Sequence, residues 1–336
     1  MRPFTVAATL LDTACLHPHR QNASRAQERA GKRRDIRWMT PFYSLGARRR
    51  VALGSARRWE AHCYNPRMRR CLALAIAFAG FLLAAEPAQN DFRFSILGDR
   101  TGDAQPGVYE RVWNEMNALH PDFVINVGDT IQGGNDATAA SEWRAISPLW
   151  ARYRYTIYFT PGNHDIWSAA SHAIYEQQTR RPAFYGFNYQ KAHFTVLDNS
   201  DAPDLSGDLS ETQMQFLARD LEQNRDRDPK FVFFHKPFWL IPVKLQSSHF
   251  PFHQLIAKYG VRHVVSGHGH QYVHAVEDGV TYLEAPSSGG KLKGQGFAQG
   301  WFYGQVLVTV KGSAVSLTVK EIGPPFGQGR SFQPKD

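Results

Sequence analysis

The residues able to do chemistry in this chain fall in five short polar clusters, each directly after an apolar run. They are Asp99, Asp129, Asn163 with His164 and Asp165, His235, and His268 with His270. Carboxylate, amide and imidazole donors without a thiolate suit hard or borderline ions such as Mn, Fe or Zn. Asp99, Asp129, Asn163, His235, His268 and His270 are too many ligands for one tetrahedral site, and two ions sharing a carboxylate fit the number better. In Pro161-Gly162-Asn163-His164-Asp165, the amide oxygen can bind a metal and the imidazole can transfer a proton near neutral pH. Asp165 can orient that imidazole. In Gly267-His268-Gly269-His270, alternation along extended backbone sends both rings to one side. Arg100, beside Asp99, offers phosphate a planar fork of donors, or else forms a surface ion pair with Asp103. Each cluster alone is also ordinary turn chemistry, and a lone histidine such as His120, His172 or His253 is more often structural than a ligand. The recurrence of one donor set at five run ends carries the reading.

Those runs must be strands that bring scattered residues together. The stretches at 92–97, 123–127, 155–159, 230–234 and 261–265 are short, β-branched or aromatic, and stop at polar or Gly-rich turns. Between them, Val108, Val112, Trp113, Met116 and Leu119 recur at helical spacing. Further helices are expected near 139–153 and 168–180, and another where Ser210 and Gln213 form a capping box ahead of Met214, Leu217 and Leu221. A strand pair is expected at 184–189 and 193–197, then hairpins turning at Asp278-Gly279 and Gly312-Ser313. The alternation defines one α/β domain over residues 92–322, with a flexible tail at 323–336. In α/β sheets ligands bind outside the carboxyl ends of strands, where all five clusters lie. The Gly-rich segment 289–294 is expected as a loop over the pocket.

The charge of the chain, +9, is unevenly distributed. Residues 1–70 hold sixteen Lys or Arg against four Asp or Glu, so the remainder is net acidic. All three cysteines, Cys15, Cys63 and Cys71, precede the domain, which therefore has neither a disulfide nor a thiolate ligand. Met68-Arg69-Arg70, the apolar run at 71–85 and the small residues after it read as a signal peptide at 68–88. The run is shorter than the ~20 residues that span a bilayer. Export to the periplasm or medium is expected, with cleavage near Glu86 and no stable membrane association afterwards. Residues 1–67 read as a basic, disordered or non-native leader ahead of a start at Met68. A nucleic-acid-binding arm is the rival reading of that leader, but it sits badly upstream of an export signal, and no nucleic-acid partner is expected.

Taken in order, the five clusters resemble the motifs of the calcineurin-like metallophosphoesterase superfamily, GDxH, GDxx, GNHD/E, H and GHxH, over residues 92–274. The resemblance implies a four-layer sandwich of two facing mixed β-sheets flanked by helices, with a dinuclear metal centre at the carboxyl ends of the strands. It implies that Asp129 bridges the metals, that Asn163, His235 and His268 complete one site, and that Asp99 and His270 serve the other. His164 would be the general acid, held by Asp165, with Arg100 and Asn163 contacting substrate. The first motif departs from the pattern, with Thr101 in place of histidine. Purple acid phosphatases, a related branch, lack that histidine too and use a tyrosine where this chain has Gln132.

The expected function is hydrolysis of a small phosphate mono- or diester by a hydroxide activated between two metal ions, with His164 as general acid. The alternative is a metal- or ligand-binding protein on the same fold whose turnover is weakened or lost because of Thr101.

Overall fold

A computed structural model describes residues 90–201, 209–323 and 327–334. The leader at 1–67 and the signal region at 68–88 lie outside the described residues. The strands are β1 (Asp91–Leu97), β2 (Phe123–Asn126), β3 (Ile157–Phe159), β4 (Tyr185–Tyr189), β5 (Ala192–Val196) and β6 (Lys230–Phe233). They continue with β7 (His263–Ser266), β8 (Val273–Glu277), β9 (Val280–Glu284), β10 (Gly304–Lys311), β11 (Ala314–Glu321) and β12 (Ser331–Phe332). The helices are α1 (Val108–Ala118), α2 (Asp136–Tyr153), α3 (Ala169–Thr179), α4 (Glu211–Gln223), α5 (Leu240–Lys244) and α6 (Pro251–Lys258).

The strands form two mixed six-stranded sheets, in the orders β12-β11-β10-β1-β2-β3 and β4-β5-β6-β7-β9-β8. β1, β2 and β3 run parallel, as do β5, β6, β7 and β9, so within each sheet the carboxyl ends of those strands share one edge. β2 and β6 are buried along their whole length, as expected of central strands covered on both faces. Between the sheets lies a phenylalanine-rich layer. Phe94 stacks on Phe123 at 5.0 Å between centroids, Phe194 stacks on Phe231 at 4.9 Å, and Phe94 meets Phe231 edge to face at 5.3 Å. Each buried ring removes enough apolar surface to contribute about 1.5–3 kcal/mol, which makes this layer the main clamp between the sheets.

The helices cover the outer faces. Val108, Val112, Trp113 and Met116 of α1 pack on Leu97 and Val124, and Leu217 and Leu221 of α4 pack on Val232, Phe234 and Val264. The caps are local: Asn135 accepts from the Ala137 N–H, and Ser168 and Ser171 form a reciprocal capping box. At α4 only half of the expected box forms. Ser210 accepts from the Gln213 N–H, while the Gln213 side chain accepts from the Asp198 backbone N–H, an available donor at the end of β5. The expected tail is also partly built into the sheet. Ser331–Phe332 pairs with β11, and the Phe332 ring meets Phe297 and Tyr272 edge to face, so an aromatic anchor holds this end.

Candidate metal centre

The segments that follow β1, β2, β3, β6 and β7 carry Asp99, Asp129, Asn163, His235, His268 and His270, and of these Asp129, Asn163, His268 and His270 line one cavity. Two clusters have donor atoms within 4.8 Å of one another, Asp129 with His235 and His268, and Asp99 with Asp129 and His270. Asp129 belongs to both.

Backbone N–H groups aim the carboxylates. His164 N donates to Asp129 Oδ1 at 2.9 Å, and His268 N donates to Asp99 Oδ1 and Oδ2 at 2.9 and 3.1 Å. Backbone carbonyls aim the rings. A carbonyl only accepts, so Nδ1 of His235 must donate to Val127 O at 2.8 Å, and Nδ1 of His270 to Lys291 O at 2.6 Å. That leaves Nε2 as the atom turned inward. Nε2 of His235 lies 3.1 Å from Asp129 Oδ2, and Nε2 of His270 lies 3.7 Å from Asp99 Oδ1. In the neutral rings these are lone pairs facing carboxylates, so each position calls for a cation or a proton between the two atoms. Burial disfavours the His235 imidazolium, but the Asp129 carboxylate outweighs it and raises the pKa. Burial likewise opposes the Asp129 anion, and His235 outweighs it and lowers the pKa. Among the described residues Oδ1 of Asn163 has no hydrogen-bond partner. Oriented imidazoles, buried carboxylates and an unpaired amide oxygen fit divalent ions.

The backbone is bent to achieve this. Asp129 sits at φ 53°, His268 at 78° and His270 at 61°. A left-handed conformation costs a residue other than glycine roughly 1–3 kcal/mol and persists where the surroundings fix it. The two histidines are thus not on extended backbone, contrary to expectation; the left-handed turn sends one ring to each cluster. Gly162 is required beside it, since a Cβ there would stand 2.2 Å from Asp129 Oδ1.

His164 and Asp129 line a cavity of about 480 Å³ together with Asn163, His268 and His270. The His164 ring donates from Nδ1 to Gln132 O at 2.5 Å, which leaves Nε2 as the atom available to substrate. Asp165 does not perform the orienting role expected of it. Its carboxylate is fully buried and accepts from the backbone N–H groups of Thr130, Ile131 and Gly162, fastening the second and third loops together. Burial, and then the nearby Asp129 charge, push its pKa up to about 7. Arg100 is likewise used elsewhere. Its guanidinium donates to Thr130 O at 2.9 Å and lies over the Tyr109 ring, while Asp103 pairs with Lys291. The cations lining the cavity are instead Lys291 and Lys293.

Gln132 does not replace the missing histidine. Its Oε1 accepts from Thr101 Oγ1 at 2.7 Å and from Asp103 N at 3.3 Å, so the amide oxygen is committed within the loop. Sequence reasoning also missed Asn199 and Glu284. Asn199 is buried, and its Oδ1 accepts from the N–H groups of His235 and Lys236, which sets the turn carrying His235. Glu284 is buried under Gly269, and burial followed by the Asp99 charge pushes its pKa up to about 8. Neither lies in a motif, and only an Asn or Glu at the end of an apolar run could have pointed to it.

A model of the calcineurin-like phosphoesterase family matches residues 92–272. The chain belongs to that family. It is 26% identical over 193 residues to a 3′,5′-cyclic adenosine monophosphate phosphodiesterase CpdA of Vibrio vulnificus, covering 54% of this chain and 66% of that protein. It is 25% identical over 200 residues to the CpdA of Escherichia coli, covering 58% and 70%. Its fold resembles a purple acid phosphatase from yellow lupin, with TM-score 0.54 and 16% identity over 74% of this chain and 54% of that one. A dimetal phosphatase from Danio rerio gives TM-score 0.50 at 12% identity over 72% and 98%.

Proposed function

We propose that the chain hydrolyses a small phosphate mono- or diester at a dinuclear centre, with His164 as general acid. The observation supporting it is the pair of ligand clusters that share Asp129 beside a cavity containing His164. Asp129, Asn163, His235 and His268 would hold one ion, and Asp99, Asp129 and His270 the other. Two such ions supply Lewis acidity toward phosphoryl oxygens and lower the pKa of a water. The protein's own part is positional. The Val127 and Lys291 carbonyls fix the two inward imidazoles, the His164 and His268 N–H groups fix the two carboxylates, and His164 Nε2 can give a proton to a leaving oxygen.

The relatives named as cyclic nucleotide phosphodiesterases make 3′,5′-cyclic AMP one substrate to try. The test is hydrolysis of an aryl phosphomonoester, the matching diester and 3′,5′-cyclic AMP by the purified chain, with Mn, Zn or Fe added after dialysis. Metal-dependent turnover of at least one supports the reading; tight metal binding without turnover of any would favour the binding-protein alternative. We also propose export, which N-terminal sequencing of the native protein checks by finding a start near Glu86.

A further inference from the structure

Lys291, Leu292 and Lys293 line the same cavity as the candidate ligands, and the peptide that carries them is pinned to the metal-binding loops. Lys291 N donates to Gly102 O at 3.0 Å and to Asp103 O at 3.2 Å, and Gly290 N donates to Asp99 O at 3.1 Å. Lys291 O also holds the His270 ring. The segment expected as a loop over the pocket is therefore a wall whose backbone is held, and the two lysines are carried on it beside the candidate ligands.

Among the described residues neither charge is tied up in a buried ion pair. Lys291 Nζ lies 3.2 Å from Asp103 Oδ2, but both side chains are about two-thirds exposed, and such a pair is worth little against solvent and salt. Lys293 Nζ spends one donor on His268 O at 3.1 Å, and an ammonium has three. The scissile phosphoryl group already faces two metal ions in the proposed centre. Two further cations on one wall exceed what a single phosphoester needs, and Lys, a compact point charge, serves an anion without demanding its geometry. Leu292 lies between them in sequence and also lines the cavity.

We propose that the substrate carries a second anionic group, a phosphate or a carboxylate apart from the scissile ester, and that Lys291 and Lys293 receive it. This rests on the phosphoesterase reading of the cavity. A phosphoester with one negative charge, such as a simple cyclic diester, leaves the lysine wall unused. A monoester bearing a remote acid group uses both halves of the cavity.

The test separates binding from turnover. Benzylphosphonate and 4-carboxybenzylphosphonate differ by one remote carboxylate, and neither is hydrolysed. Calorimetry on the full chain with metal supplied should show the carboxylated compound binding about 5- to 10-fold more tightly, the size expected of one or two partly screened charge contacts. In the double variant Lys291→Gln/Lys293→Gln the ratio of the two dissociation constants should fall to about one, and in Lys293→Arg it should persist. Phenyl phosphate and 4-carboxyphenyl phosphate should give the same ratio in KM. Equal binding of the two phosphonates, or a preference that survives in the double variant, overturns the proposal. A lysine-dependent phosphonate preference without hydrolysis of either ester would support the anion site and overturn the enzymatic reading instead; hydrolysis without the preference does the reverse.

Discussion

The two ligand clusters share Asp129 but are finished differently. On the cavity wall with His268 stands Asn163, whose amide oxygen has no hydrogen-bond partner among the described residues. Beside Asp99 and His270 stands a hydroxyl already donating to an amide, Thr101 to Gln132. In the proposed centre one half-site would gain a fourth protein donor from Asn163, while the other would find only a hydroxyl held in an internal hydrogen bond. The difference teaches that ligand count alone does not set affinity, because a donor committed to a protein partner must lose that bond before it can bind an ion. We therefore expect two classes of metal affinity, the weaker at Asp99 and His270.

The largest effect should come from the residue that abolishes the comparison. Asp129→Ala removes a ligand from both half-sites, so metal analysis after dialysis should find both ions lost. Activity should fall well beyond the roughly 10- to 100-fold that losing a supporting partner of a ligand costs. Retention of one tightly bound ion would show that Asp129 is not shared.

Next is His164→Ala, which should lower kcat by about 10² to 10⁴ while both ions stay in place. The ring's Nδ1 is bound to Gln132 O and its backbone N–H to Asp129, so only the ring is removed and the carboxylate keeps its donor. Loss of metal in this variant would move His164 from acid to ligand.

Asn163→Ala sharpens the contrast directly. Removing the amide oxygen should bring the tighter half-site toward the weaker one in metal competition titrations, by at least the roughly 10- to 100-fold that losing even a supporting partner of a ligand costs. The ion near Asp99 should keep its affinity. If Asn163→Ala leaves both affinities unchanged, the amide is not a ligand.

Much of this was legible because strand ends and metal donors leave local marks. Val108, Val112, Trp113 and Met116 repeat at helical spacing and do form the buried face of α1, and Asp99, Asp129, His235, His268 and His270 fall into two close groups of donor atoms. What could not be read was which of several possible partners each side chain takes. Asp165 adjoins His164 in sequence, yet three backbone N–H groups of converging loops claim it, and those loops meet only in three dimensions. Arg100 adjoins Asp99, yet a carbonyl on the neighbouring loop lies within its reach. The lysine wall was invisible as such because its relation to the site depends on Gly290 reaching back across nearly two hundred residues to Asp99.

The smallest expected effect tests the closed position itself. Thr101 is fully buried, and Thr101→Val keeps its shape while removing the hydroxyl that donates to Gln132 Oε1. The lost hydrogen bond costs about 0.5–1.5 kcal/mol of folding stability, which thermal unfolding of the metal-free protein should register as a small drop. The remaining donor to that oxygen, Asp103 N, is the longer contact at 3.3 Å, so the amide becomes easier to redirect toward the ion near Asp99 and His270. The same 0.5–1.5 kcal/mol, released from competition with the metal, corresponds to a gain in affinity of about 2- to 12-fold at that half-site, with no change at the one built on His235 and His268. An equal shift at both half-sites would mean that Thr101 acts through Asp129, whose carbonyl accepts from the Thr101 N–H, and the contrast between the two sites would then lie in the shared carboxylate rather than in their fourth positions.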